Sequence, residues 1–295
     1  MFSASIHRCD ATAATPYCSL CGCYQPLDAS LFVSKTLLTL KHDNQATIAI
    51  AHPNSPLESF LDGTIQIRRV GEEDWSTLGP ESLTAPWTAR IAGHFELRGL
   101  ARAGGHDIAT DPVRIEVQFP SVEQIAADPA VIEAADAAWA ATTDACTRLP
   151  NRRQEFGFAI RLNTTNDTYV CDELVEGPPT MPWDVAEIYI PVDPYNAPDF
   201  PTSVDSGAVY YVADLHTHTS PVNLEDWIQV KPVGVSSKDF SVAQQRGAPG
   251  IVRDYVAEPG LENAIQPGWP LDAPSQLYFA TPPSRRSTPN PPNIP

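Results

Sequence analysis

Ala213-Asp214-Leu215-His216-Thr217-His218, followed by Ser236-Ser237-Lys238-Asp239, is the part of this chain whose reading decides the fold. Ala208 to His218 has the character of a strand. Side chains i and i+2 of a strand share a face, and each residue advances the chain by about 3.3 Å. His216 and His218 are therefore expected side by side, at a separation one metal ion can bridge. A third protein ligand and a water would complete a tetrahedral zinc site of the catalytic type, with one position open. Asp239 is the natural third ligand, and Asp214, Glu225 and Asp254 are the fallbacks if it stands too far away. Each piece also has a plainer reading. An HxH in a strand is commonly incidental, and Ser236 and Asp239 suit a helix N-cap and its N3 partner.

Working outward, Ser236 opens a helix reaching about Arg246, and Gly247 stops it. Gly250 to Tyr255 is a further strand. Upstream, Glu155 to Leu162 is a strand with Phe156, Phe158, Ile160 and Leu162 on one face and Glu155, Gly157 and Ala159 on the other. Asn163–Asp167 is a turn, Tyr169 to Leu174 the return strand, and Val185 to Val192 another candidate strand before a proline-rich loop. A helix precedes these strands, capped by Asp128 with Pro129 at its first position. Its apolar stripe is Val131, Ala135, Ala138, Trp139, Thr142 and Cys146. Cys146 and Cys171 read as small buried apolar groups.

Residues 29–120 read differently. Leu38 and Leu40, Ile48 and Ile50, Ile65 and Ile67, Phe95 and Leu97, and the run Val113–Phe119 alternate apolar with polar, and turn residues separate the runs. Short alternating strands at this spacing predict an all-β sandwich. A strand, a Gly104-Gly105 turn, Asp111-Pro112 and a last alternating strand resemble the ending of many bacterial immunoglobulin-like or fibronectin-type modules. Such modules bind or space, and no chemistry is assigned to this one.

The composition sets limits. The chain has 295 residues, comfortable for two domains. Its 36 acidic and 19 basic residues give a net charge of −17. Such a surface repels a phosphate backbone, which excludes nucleic acid as the expected partner. No apolar run approaches the roughly 20 residues needed to span a bilayer. Met1–Asp10 lacks the basic start and apolar stretch of a secretory signal, so the expectation is a cytoplasmic protein, with signal-independent export left open. Cys9, Cys18, Cys21 and Cys23 crowd the first 23 residues. In a reduced compartment they would hold a structural zinc; disulfides or free thiols are the alternatives. The expected division is a Cys-rich segment at 1–28, the sandwich at 29–120, a second domain at 121–280 and a Pro-rich disordered tail at 281–295.

The second domain also resembles a family. His216-x-His218 followed by Ser236-x-x-Asp239, with Glu155 on an earlier strand after a helix, is similar to the JAB/MPN fold with its JAMM zinc-peptidase motif. Ser236–Asp239 and the following Gly247-Ala248-Pro249-Gly250-Ile251-Val252 resemble the JAB-like domains of bacterial polymorphic-toxin proteins. The resemblance covers about residues 125–258. It implies an α+β domain with a central mixed sheet flanked by helices. It also implies that His216, His218 and Asp239 hold one catalytic zinc, that Glu155 is the general base and that Ser236 donates to the oxyanion. Seventeen residues separate His218 from Ser236, about twice the spacing usual in the family, and this piece includes Trp227. The implied activity is hydrolysis of a peptide or isopeptide bond in a protein or peptide substrate, ubiquitin-like conjugates included. The competing reading is a JAB-like component of a toxin-delivery or conflict system, effector or non-cutting, that meets its partner through the sandwich.

Overall fold

A computed structural model describes residues 29–51, 62–103, 106–148, 152–181, 186–191, 207–218, 233–256 and 274–282. The four N-terminal cysteines, Glu225, Trp227 and the expected disordered tail from 283 onward lie outside the described residues. The chain divides into two compact units. Among the described residues, 29–38, 43–89 and 93–117 form one, and 39–42, 90–92 and 118–282 form the other.

The strands before residue 120 are β1 (Ser30–Val33), β2 (Leu37–Thr39), β3 (Gln45–Ala51), β4 (Asp62–Arg69), β5 (Ser76–Thr77), β6 (Thr84–Thr88), β7 (Gly93–Ala103), β8 (His106–Ala109) and β9 (Val113–Gln118). They make two sheets, β1-β3-β6 and β2-β9-β7-β4-β5, with β8 added to β7. The sequence alternation appears directly as burial. Ile48 and Ile50 of β3, Ile65 and Ile67 of β4, Phe95 and Leu97 of β7, and Ile115 and Val117 of β9 all point inward. Burying each such side chain contributes roughly 1.5–3 kcal/mol. The rings of Trp87 on β6 and Phe95 on β7 meet edge to face at 5.7 Å, so the inner faces of the two sheets pack together. Gly99 is needed for that approach, because a Cβ there would stand 2.6 Å from the Ile50 side chain.

The second unit contains α1 (Val122–Ala126), α2 (Pro129–Arg148), β10 (Phe156–Asn163), β11 (Thr168–Cys171), β12 (Val175–Glu176), β13 (Val209–Thr217), α3 (Ser237–Arg246), β14 (Gly250–Tyr255) and β15 (Ser275–Ala280). Its mixed sheet runs β11-β10-β13-β14-β15, with β12 also on β10. Only β13 and β14 run parallel among the paired strands described, and a parallel pair needs a crossover, which contains α3. Asp128 Oδ1 accepts from Ala130 N–H at 3.1 Å, as expected of the cap of α2.

Strand alternation distributes the two long helices between the faces of this sheet. Thr217 is hydrogen-bonded to Thr142 of α2 (2.5 Å), and Tyr255 packs edge to face on Trp139 at 5.0 Å. Arg253, on the same side, is paired with Asp136 of α2. His216, His218 and Asp214 point the other way and meet residues of α3. No helix among the described residues is long and apolar enough to cross a membrane.

Some expectations need correction. Val185 to Val192 was expected as a strand, yet 186–191 belongs to no strand, and the ends at 185 and 192 lie outside the described residues. The alternation itself survives, with Ile188 and Ile190 turned in and Glu187 and Tyr189 out, but it is not hydrogen-bonded into a sheet. The buried stripe of α2 ends on Ala145 rather than Cys146. Cys146 and Cys171 are half-buried, not core residues.

Candidate metal centre

The site lies on the α3 side of the mixed sheet. β13 is fixed on one edge by β10, with Gly157 opposite His216, and on the other by β14, with Val252 beside His216. The two imidazoles share a face, their ring centroids 5.2 Å apart. Thr217 between them points to the opposite side, where its hydroxyl accepts from Phe156 N–H at 3.0 Å. Glu155 immediately precedes β10, next to Phe156, whose N–H is bonded to the Thr217 hydroxyl. Glu155 is buried, 5 % exposed.

Asp239 reaches the histidines because of how α3 begins. Ser236 is its N-cap, with an extended backbone. Ser236 Oγ accepts from Asp239 N–H at 3.2 Å, and Ser236 N–H donates to Asp239 Oδ2 at 2.7 Å. This is the reciprocal capping box that the plainer reading of the sequence anticipates. It coexists with the other role, because a carboxylate has about four acceptor positions. Asp239 Oδ1 stands 3.2 Å from His216 Nε2, and Oδ2 stands 3.5 Å from His218 Nε2. Burial alone would raise the Asp239 pKa. The two histidines and the Ser236 N–H outweigh burial and hold the carboxyl well below the usual carboxylate range. At neutral pH Asp239 is an anion aimed at both rings.

The donor set suits zinc. Ligand atoms of all three residues lie within 4.8 Å of one another. Two donors each about 2.0–2.1 Å from zinc and tetrahedrally placed stand roughly 3.3–3.4 Å apart, which matches the 3.2 and 3.5 Å contacts. Two imidazole nitrogens and a carboxylate oxygen are a borderline-soft set, and they leave a fourth position for water or substrate. The surrounding charge has the right sign. Glu155 and Asp254 are buried and Asp239 is half-buried, and Arg153, 4 % exposed, is the guanidinium whose pKa Glu155 and Asp254 raise. Burial pushes the Arg153 pKa down, and those carboxylates pull it back up. The negative surplus is what a divalent cation would neutralise.

The fallback ligands take other places. Asp214 Oδ2 accepts from Arg246 Nη1 at 2.7 Å and from the Tyr211 hydroxyl at 2.5 Å, so it anchors the C-terminal end of α3. Asp254 Oδ2 accepts from His218 Nδ1 at 2.9 Å and stands behind the ring, on the side away from Asp239. The sequence carried no sign of the Asp254, Arg153 and Arg246 contacts, because each depends on a strand or helix register. The S-x-x-Q box Ser121–Gln124 that starts α1 is a local capping signal in the sequence.

No protein-family model matches the chain, and no curated protein matches it.

Proposed function

We propose that the second unit is a JAMM-type zinc peptidase or isopeptidase of JAB/MPN kind, and that the first unit is an immunoglobulin-like module that places it near its substrate. The observation that carries this reading is the convergence of His216, His218 and Asp239 at ligand-to-ligand distances, with Ser236 bonded to Asp239. When bound, zinc supplies a water of lowered pKa and polarises the scissile carbonyl.

His216 and His218 would hold the cation through Nε2, and Asp239 through a carboxylate oxygen. Glu155 takes the proton of the attacking water and passes it to the leaving amine. Its buried place just before β10, two residues from the Gly157 that pairs with His216, supports that role. Ser236 already uses one hydroxyl lone pair to accept from Asp239 N–H, which leaves its own proton to donate to the oxyanion. The substrate is a protein or peptide, ubiquitin-like conjugates included.

Incubation of the zinc-loaded chain with isopeptide-linked ubiquitin-like conjugates tests the reading. Cleavage should stop on chelation and in Glu155→Gln, while Glu155→Gln keeps its zinc. Unchanged cleavage in Glu155→Gln contradicts the mechanism. Zinc binding without cleavage in wild type assigns the domain to the non-cutting reading.

A further inference from the structure

We infer that Asp254 is the positioning residue of the metal centre, one carboxylate oxygen fixing both the His218 ring and the chain segment that presents Asp239. This rests on the reading of His216, His218 and Asp239 as a ligand set. The parallel register sets Val252 beside His216, and His218 N–H donates to Arg253 O at 2.9 Å, so the pairing of β13 with β14 persists as far as His218. Asp254 therefore stands beside His218 on the ligand face, 5 % exposed.

Both of its carboxylate oxygens accept hydrogen bonds. Oδ2 accepts from His218 Nδ1 at 2.9 Å and from Gly234 N–H at 2.9 Å, and Oδ1 accepts from Tyr255 N–H at 2.8 Å. A carboxylate anion only accepts, so the proton between them sits on Nδ1. With a cation held, that tautomer would present the Nε2 lone pair, on the atom 3.5 Å from Asp239 Oδ2. A carboxylate behind a ligating imidazole fixes its tautomer and orientation and raises its basicity.

The bond to Gly234 extends the effect to the other ligand. Gly234 has a left-handed φ of +88°, and a Cβ there would come 2.8 Å from the Tyr278 ring. Two residues later the chain reaches Ser236, whose capping box sets the Asp239 carboxylate. The same oxygen thus restrains the His218 imidazole, just past β13, and the entry to α3. A purely structural acceptor would be satisfied by the Gly234 and Tyr255 amides; the third bond, to His218, ties Asp254 to the metal.

Zn2+ titration of the full chain against a chromophoric chelator tests this, alongside the visible spectrum of the Co2+ form and 1H–15N spectra of the imidazoles. Thiolate charge-transfer absorption in the Co2+ form identifies any metal held by cysteines. Asp254→Ala should bind Zn2+ about 10- to 100-fold more weakly than wild type. Asp254→Asn, which keeps an acceptor oxygen, should recover part of that loss. His218 of the zinc-loaded wild type should carry its proton on Nδ1, and the Co2+ spectrum should change in both variants. Wild-type binding that both variants match within twofold overturns the inference and leaves the ligand set standing, whereas a His218 proton on Nε2 overturns both. A wild type with no Zn2+ site sensitive to His216→Ala overturns the ligand set and the inference together. If Asp254→Ala does not fold, Asp254→Asn and the wild-type tautomer decide.

Discussion

Gly157 sits opposite His216, and a Cβ added there would lie 2.5 Å from Leu215 O, 2.8 Å from Ile190 and 3.0 Å from the His216 Cβ. The first of those neighbours is backbone and cannot swing aside. Gly157→Ala should cost about 1–3 kcal/mol of stability and weaken zinc binding by shifting His216, measured by denaturant unfolding and zinc titration. Unchanged unfolding would show that the strand yields more easily than its contacts indicate. Cys171 offers an independent check of the same unit. Burial, with the charges of Asp128 and Asp172, pushes its thiol up to about 11. The raised value leaves less thiolate at neutral pH, so peptide-resolved iodoacetamide labelling at pH 7.5 should run on the order of a hundredfold slower than for an unperturbed cysteine.

Helix α3 binds stability and chemistry together at its N-terminus and not at its C-terminus. Ser236→Ala removes the cap and should cost about 1 kcal/mol. Gly247, left-handed at φ 56°, stops the helix, and Gly247→Ala should cost a similar amount through backbone strain. Only Ser236→Ala should also reduce cleavage by the zinc-loaded protein, because only Ser236 faces the carbonyl in the proposed mechanism. Equal activity losses in the two variants would reduce Ser236 to a cap. These helix ends were legible in the sequence because Ser-x-x-Asp and Gly247 are local signals. The strands carrying His216, His218 and Glu155 were legible for the same reason, through period-two alternation. Asp254 was not legible as the partner of His218, since the register of a parallel pair is set by packing rather than by neighbouring residues. The segment 186–191 misled because its alternation reports one buried side, which an extended segment outside any sheet can also have.

At the scale of the whole molecule, the two units present different faces to experiment. The sandwich draws its stability from interdigitated apolar strands, so no metal dependence is expected of it. The second unit concentrates carboxylates around His216 and His218. A site at a hundredfold excess of zinc over its dissociation constant adds about 2.7 kcal/mol. That should raise the thermal midpoint of the second unit by roughly 5–10 °C, reversed by chelator and absent in His216→Ala. The arrangement is most directly examined by anomalous diffraction at the zinc edge from crystals of the zinc-loaded chain. The expected result is a peak about 2.0–2.1 Å from His216 Nε2, His218 Nε2 and an Asp239 carboxylate oxygen, with Glu155 not bound to it. Imidazoles turned apart, or zinc bound elsewhere with that position empty, would contradict it.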